Sequence, residues 1–467
     1  MLDGSGADPV RADVGIDGER VTAIGDLSGA SARSRFDTDG LTLTPGFIDV
    51  HTHDDRALLS APDMSPKVSQ GVTTVVTGNC GVSLAPLVDV DPPPPLNLLG
   101  DRTHFRYATM GEYVEELESS PPAVNVAMLA GHSTLRAGVM DTLDRPATAA
   151  EIDRMDARLE EALNAGCIGM SSGLAYPPAI NAPGDEIVAL ARRVSSHGGI
   201  YTTHMRNERE GVVDSVRETL EIGERADVPV VISHHKCSGR ENWGLSLKTL
   251  PMIAEARKRR PVNLDVYPYT ASSTVLMADW VEGAEKVLVT WSVPHPELAG
   301  RDLAAIREQW GCSTEEAVER LLPAGAIYYQ MDEADLRRIL SFEDAMIGSD
   351  GLPHDAHPHP RLWGTFPRVL GHYSRDEKLF PLPRAVRRMT SVPAAVFGLK
   401  DRGTLREGGF ADLVVFDPAT VIDAASFESP VQPSRGIVLV LVNGQPVWAD
   451  GEPGDARPGR VLRREAT

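Results

Sequence analysis

Histidine, cysteine and aspartate side chains that could bind a metal ion recur at the ends of short apolar runs. His51 and His53 lie two residues apart in FIDVHTH, so on an extended strand they point to one face and could share an ion. Zinc accepts imidazole, thiolate and carboxylate ligands together, and it supplies an acidic water and a Lewis acid for hydrolysis. Four further residues of these types end other runs, namely Cys80, His204, His234 and Asp350.

Each of these residues also has a purely structural interpretation. His204 could be a hydrogen-bonded core histidine, Cys80 a small buried hydrophobe and Asp350 the N-cap of a turn. Because six such residues end the runs of one predicted sheet, a shared metal site is the better explanation. His132 also ends a run and could lie in a second layer around the site, whereas His235, the second histidine of SHHK, should face the helices.

Eight short β-branched runs alternate with helical patterns, which predicts parallel βα units closed into a barrel. Active sites of such barrels lie at the C-terminal ends of the strands, where the candidate ligands would converge. The pattern at 149–166 predicts a crossover helix that ends at Gly166, and the stretch at about 275–340 predicts an insertion near the active-site mouth. The predicted strands cover residues 47–53, 73–80, 125–132, 167–172, 200–205, 228–235, 262–269 and 345–350.

The two ends of the chain have a different pattern from the middle. RADVGIDGERVTAIG near the start, and ADLVVFDP and GIVLVLVNGQPVWADG near the end, are typical of antiparallel β structure with tight turns. We therefore predict a (β/α)8 TIM-like barrel over residues 45–404 and one small β-sandwich domain. Residues 1–44 and 405–467 would build that domain together.

The composition opposes nucleic-acid and membrane partners. Lys and Arg number 46 against 66 Asp and Glu, giving a net charge of -20, which repels anionic surfaces. The four cysteines form no CxxC pair, the N-terminus lacks the pattern of a secretory signal, and no run approaches the roughly 20 apolar residues of a membrane span. These features predict a cytoplasmic protein, and they do not specify its oligomeric state.

The motifs around the candidate ligands resemble the N-acyl-D-amino-acid deacylase (D-aminoacylase) family of the amidohydrolase superfamily. The resemblance extends from about residue 40 to 450. It implies a barrel of the metal-dependent hydrolase type that cleaves small N-acyl-D-amino acids to a carboxylate and a free D-amino acid. The motifs are PGFIDVHTHDD, GVTTVVTGNCGVSLAP, GMSSGLAYPP, YTTHMRNE, VVISHHKCSG, DVYPYTASS and IGSDGLPHDAHPHPRLWGTFPRVLG.

The resemblance also implies roles for individual residues. One tightly bound zinc ion would lie on Cys80, His204 and His234, and a weaker second ion on His51, His53 and Asp350. The Cys80 thiolate could bridge both ions, in place of the carboxylated lysine of many superfamily members. Asp350 would act as the general base that activates the zinc-bound water and then protonates the leaving nitrogen. The substrate-binding residues that the family pattern implies are Arg361, Lys236 and Tyr267, with Tyr176 and Ser273 as neighbours.

The chemistry of these side chains fits an acylated amino acid. Arg361 follows Asp350 on one loop and could hold the α-carboxylate through two parallel hydrogen bonds, while Lys236 offers a point charge. Tyr267 could donate to the oxyanion, or could be a core aromatic. The preference for the D enantiomer rests on the resemblance alone.

Two other functions remain open from the sequence. A cyclic-amide hydrolase of the dihydroorotase or hydantoinase type shares the HxH pair and the barrel, although Cys80 at the bridging position disfavours it. A non-catalytic barrel used for assembly is disfavoured by the complete set of six ligands.

Overall fold

A computed structural model describes residues 1–464, so the last three residues of the small domain predicted at 405–467 lie outside the described part. Eight parallel strands form one sheet in which spatial order follows chain order. A parallel bridge between Thr52 and Gly351 joins its two ends, so the sheet nearly closes and the barrel prediction is confirmed. The first to eighth barrel strands are Phe47–Asp49, Val72–Thr77, Asn125–Gly131, Gly169–Gly173, Ile200–His204, Val230–Ile232, Val262–Val266 and Met346–Ile347.

Amphipathic helices cover the outside of the barrel. The helix predicted at 149–166 spans Ala149–Ala165, where Thr148 and Glu151 form a capping box and Gly166 ends the helix at φ 121°. No helix within residues 1–464 is long and apolar enough to cross a bilayer. The helices outside the insertion are Ala57–Ser60, Ser65–Val68, Met110–Ser119, His132–Val139, Ala149–Ala165, Gly184–Ser196, Val212–Ala226, Ser246–Arg257, Arg361–Arg368, Val369–Asp376 (a π-helix), Leu382–Met389 and Ser391–Phe397.

The segment between the seventh and eighth barrel strands, where the sequence predicts an insertion, contains its own antiparallel sheet. The strand Ala324–Tyr329 lies in the middle and pairs with Ala271–Val275 on one side and Lys286–Ser292 on the other. Val289 and Tyr328 are buried in a local apolar cluster. Because Ala271–Val275 follows directly on the C-terminal end of the seventh barrel strand, this sheet stands beside the strand ends as a separate wall. The helices of this segment are Ala278–Val281, Leu303–Trp310, Thr314–Leu321 and Glu333–Ser341.

Strands from both ends of the chain form one small sheet outside the barrel. Thr42–Pro45 pairs antiparallel with Leu413–Phe416 at one edge. An N-terminal hairpin buries Val21 in an apolar cluster with Leu405 and Leu413, so both chain ends share this core. The small sheet domain of the fold prediction is thus present. The remaining strands of this sheet are Ile437–Val442, Gln445–Ala449 and Glu452–Pro453; the hairpin strands are Asp13–Asp17 and Arg20–Gly25; and Leu87–Val88 pairs with Arg106–Tyr107 elsewhere.

Candidate metal centre

The six predicted ligands come together at the C-terminal ends of the barrel strands as two groups that share a cysteine. Within each group, the potential ligand atoms all lie within 4.8 Å of one another. We call Cys80, His204 and His234 the inner set, and His51, His53 and Asp350 with the same Cys80 the outer set. Cys80 Sγ lies 3.2 Å from His51 Nε2 and 3.3 Å from His234 Nε2, so this sulfur connects the two sets.

Five of the six predicted ligands lie just past the strands on which the sequence placed them, and only His204 ends its strand. Cys80, His234 and Asp350 have φ values of 53°, 35° and 51°, in the left-handed region that non-glycine residues seldom adopt. Such a conformation costs of order 1–3 kcal/mol per residue and persists where the surroundings fix it, often at functional sites. At these three positions the left-handed conformation redirects the chain at the predicted ligand itself.

The donor atoms of both sets fit a zinc ion. His204 Nδ1 and Nε2 and His53 Nδ1 are buried and make no hydrogen bond within the described part of the chain. A buried polar group without a partner costs roughly 1–3 kcal/mol, a penalty that coordination to a metal removes. Nitrogen, thiolate and carboxylate donors in one buried cluster are also the ligands that zinc accepts. The residues that the sequence selected are therefore chemically suited to the ion that it predicted.

The charges in the cluster favour the ionised forms that bind a metal. Burial opposes ionisation of the Cys80 thiol, but the cationic forms of His51 and His234 beside it bring its pKa well below the usual range. Burial likewise opposes ionisation of Asp350, and Arg361 with His51 and His234 holds the pKa of that carboxyl well below its ordinary value. A thiolate and a carboxylate are thus both available as ligands.

Two acidic residues that the sequence analysis did not select hold the histidines in place. Asp265, on the seventh strand, lies 3.4 Å from His51 Nδ1 and accepts the backbone N–H of His234 at 2.8 Å. Glu208 lies 3.1 Å from His234 Nδ1 and 3.4 Å from His204 Nε2. Carboxylates that contact ligand histidines in this way orient the imidazole rings for the metal.

A cavity with about 430 Å³ of empty volume opens in front of the two sets. Three of the predicted substrate-binding residues, Lys236, Tyr176 and Ser273, line it. Lys236 Nζ lies 2.7 Å from Glu208 Oε1 and 2.7 Å from His234 Nδ1, so this ammonium is already paired. Tyr176 shares a hydrogen bond of 2.9 Å with Thr274, while the Ser273 hydroxyl makes none with residues 1–464.

Arg361 and Tyr267 lie behind the wall of this cavity. The Arg361 side chain is fully buried, with Nη1 2.9 Å from Asp350 Oδ2 and Nη2 donating to the Ser273 carbonyl at 2.9 Å. Its guanidinium stands over the Tyr267 ring, 4.5 Å from the centroid, and its Nε makes no hydrogen bond to a described residue. The Tyr267 hydroxyl is directed at the Met331 sulfur, a weak acceptor, at 3.8 Å. Both residues therefore keep a donor without a strong protein partner, and these donors are buried outside the cavity.

The two histidines that sequence reasoning set apart from the ligands point elsewhere. His132 begins the helix His132–Val139, and its Nε2 lies 3.0 Å from Glu186 Oε1 rather than in either set. His235 Nε2 lies 2.8 Å from the Thr249 hydroxyl, on the helix Ser246–Arg257, so it faces the helices.

Comparisons with known proteins agree with this geometry. The model of the amidohydrolase family matches residues 36–268 and 302–448. A D-aminoacylase of Alcaligenes xylosoxydans xylosoxydans is 55% identical over 100% of this chain and 96% of its own length. An N-acyl-D-aspartate deacylase of the same organism is 49% identical over 99% of this chain and 93% of its own.

A solved structure of a related enzyme carries a metal. The N-acyl-D-glutamate deacylase of Bordetella bronchiseptica, in complex with zinc and a phosphonate that mimics the tetrahedral intermediate, superposes with a TM-score of 0.96. It is 47% identical, and the match covers 99% of this chain and 97% of that one.

Proposed function

Because the chain belongs to the amidohydrolase family, and within it to the N-acyl-D-amino-acid deacylases, we propose that it hydrolyses the amide bond of N-acyl-D-amino acids at a zinc centre. The supporting observation is the position of Cys80 Sγ, within 3.3 Å of a histidine nitrogen of each set. Zinc held tightly by the inner set, with a weaker position at the outer set, is the occupancy that we propose. The products are a carboxylate and a free D-amino acid.

The reaction needs a stronger nucleophile than water, a polarised carbonyl and a proton for the leaving amine. A zinc ion held by the two sets would supply a water with a pKa lowered to about 7 and a Lewis acid for the acyl carbonyl. Asp350, between the ligand histidines and Arg361, accepts the proton of the attacking water and donates it to the amide nitrogen as the C–N bond breaks. Tyr267, whose hydroxyl lacks a strong partner, is the proposed donor to the developing oxyanion.

Recognition of the substrate follows from the charges around the cavity. The α-carboxylate is assigned to Arg361 and Lys236, because these cations flank the metal centre within an otherwise acidic protein. Apolar surface from Leu98, Tyr176 and Trp280 lines part of the cavity, which favours an uncharged amino-acid side chain. The four cysteines are unpaired thiols, so we keep the reducing cytoplasm as the proposed location.

A substrate panel, combined with metal analysis, tests this function. The purified protein is expected to contain at least one zinc ion per chain and to hydrolyse N-acetyl-D-methionine and N-acetyl-D-leucine. Their L enantiomers, N-acetyl-D-aspartate and a hydantoin should react far more slowly. Chelation should abolish turnover and added zinc should restore it. Faster hydrolysis of the hydantoin than of every acyl amino acid would assign the chain to the cyclic amidases instead.

Replacement of the shared sulfur should empty the inner set. A hydroxyl is a much poorer zinc ligand than a thiolate, so Cys80→Ser should lose zinc on dialysis and lose activity with it. Cys237→Ser is the matched control, because Cys237 is an equally buried thiol that lies outside both sets. Zinc content and turnover are measured for both variants. Full zinc retention in Cys80→Ser would show that Cys80 is only a buried thiol.

A further inference from the structure

The first and eighth barrel strands meet with little backbone pairing. Among the described residues, these two strands are the ends of the eight-stranded ladder, and the single bridge between Thr52 and Gly351 joins them. The eighth strand has only the two residues Met346–Ile347, and its ladder partner is the seventh strand. The outer set nevertheless takes ligands from both sides of this seam. Contacts beyond the sheet must therefore hold the two sides in register.

A buried lysine lies across the seam. Lys67, on the short helix Ser65–Val68, donates to Asp49 Oδ2 and to the Ser349 hydroxyl, both at 2.8 Å. Asp54 Oδ2 lies 3.2 Å from the same nitrogen, and the lysine side chain is 1% exposed. Asp49 belongs to the first strand, whereas Ser349 immediately precedes the ligand Asp350. One ammonium group thus ties the two sides together.

Asp49 extends this link to the backbone of two ligands. Its Oδ1 accepts the N–H of Ser349 at 2.8 Å and lies 3.4 Å from the N–H nitrogen of His51. The N–H of Asp350 in turn donates to the His51 carbonyl at 2.8 Å. Gly348 allows this approach, because a Cβ at that position would lie 2.5 Å from the His51 Cβ. The positions of both ligands therefore depend on the carboxylate that Lys67 holds.

Stability alone is a weak reason for a buried ionic network. The desolvation of buried charges offsets their attraction, and well-packed apolar residues of similar volume often stabilise a fold as well or better. A network of this kind offers directed contacts instead, which apolar side chains cannot supply. At this seam those contacts end on the backbone beside His51 and Asp350.

We propose that Lys67 is a positioning residue for the outer metal set. Through Asp49 and Ser349 it holds the two sides of the barrel seam at the spacing that a shared metal ion needs. The partners of its ammonium all lie at the seam, and none of them is His204 or His234. We therefore expect Lys67 to affect metal binding at the outer set alone. This inference rests on the proposed zinc centre and extends it to a residue outside the ligand shell.

The experiment removes the ammonium without leaving unpaired charges behind. The triple variant Lys67→Met, Asp49→Asn and Asp54→Asn is neutral at the seam, and the amide oxygen introduced at position 49 can still accept the same backbone N–H groups. Zinc-loaded protein is equilibrated against decreasing free zinc, and bound zinc is measured at each step. The zinc affinity of the outer set should fall about 10- to 100-fold, the usual effect of losing a residue that supports a metal ligand. The zinc affinity of the inner set should stay unchanged. Ser349→Ala should also lower the zinc affinity of the outer set, but by less than the triple variant does.

A distant ion pair provides the matched control. Arg402 and Asp412 are similarly buried and paired where the barrel meets the terminal sheet, so Arg402→Met with Asp412→Asn should lower thermal stability but leave both zinc steps in place. The role of Lys67 would be overturned if the triple variant kept the zinc affinity of the outer set. It would also be overturned if the control variant lost as much of that affinity as the triple variant. A single zinc step in the parent protein would overturn both this role and the two-position metal centre.

Discussion

Asp350→Asn is expected to lower kcat by about 10²- to 10⁴-fold, the range that general acid-base groups contribute, while KM changes little. An asparagine amide cannot accept a proton from water at neutral pH, although it preserves the size and most hydrogen bonds of the carboxylate. The effect should appear in kcat because the group acts on the reacting water and the leaving nitrogen rather than on the bound substrate. Steady-state kinetics with N-acetyl-D-methionine measure both parameters, and zinc analysis of the same samples shows whether the metal is retained.

The chain offers a matched control for this substitution. Asp423 is paired with Arg368 at 3.2 Å, much as Asp350 is paired with Arg361 at 2.9 Å. Asp423→Asn therefore breaks a comparable ion pair away from the metal centre and should leave kcat within a few-fold of the parent. If Asp350→Asn keeps zinc and still turns over at a parental rate, the general base must be another residue.

The sequence was sufficient to predict the barrel and the clustering of the candidate ligands because both follow from local patterns. The helix at 149–165 carries its own capping box and C-terminal glycine, and the HxH pair has the period of a strand. The alternation of strands and helices then requires the strand ends to share one face of the barrel. The convergence of His51, Cys80 and Asp350 follows from that topology.

The residues that support the ligands were harder to predict because their partners are distant in the chain. Asp265 alternates with apolar neighbours on the seventh strand, which is a detectable signal, but its contact with His51 spans 214 positions. Lys67 looks like an ordinary surface lysine in SPKV, and only the closed barrel buries it between Asp49 and Ser349. Left-handed turns at the ligands are likewise fixed by packing rather than by residue type, since none of them is a glycine.

Arg361→Ala should lower kcat/KM for N-acetyl-D-methionine about 10- to 150-fold. That range corresponds to losing a charge-assisted interaction of roughly 1.5–3 kcal/mol with the α-carboxylate. Arg361→Lys should recover only part of the loss, because an ammonium cannot form a bidentate pair. Arg368→Ala is the matched control, because Arg368 lies on the same helix, pairs with an aspartate and stands 4.9 Å from the centroid of a tyrosine ring. This variant should leave kcat/KM nearly unchanged.

Arg361 also contacts Asp350, so its guanidinium could contribute by orienting the general base instead of by holding the substrate. The two roles differ in how they depend on the substrate. If Arg361 holds the α-carboxylate, an N-acyl amine without that group is already a poor substrate for the parent, and Arg361→Ala reduces its hydrolysis little further. If Arg361 only orients Asp350, both substrates lose the same factor and the loss appears in kcat. Equal losses, together with a lower melting temperature, would therefore defeat the carboxylate assignment and leave Arg361 as the residue that positions the base.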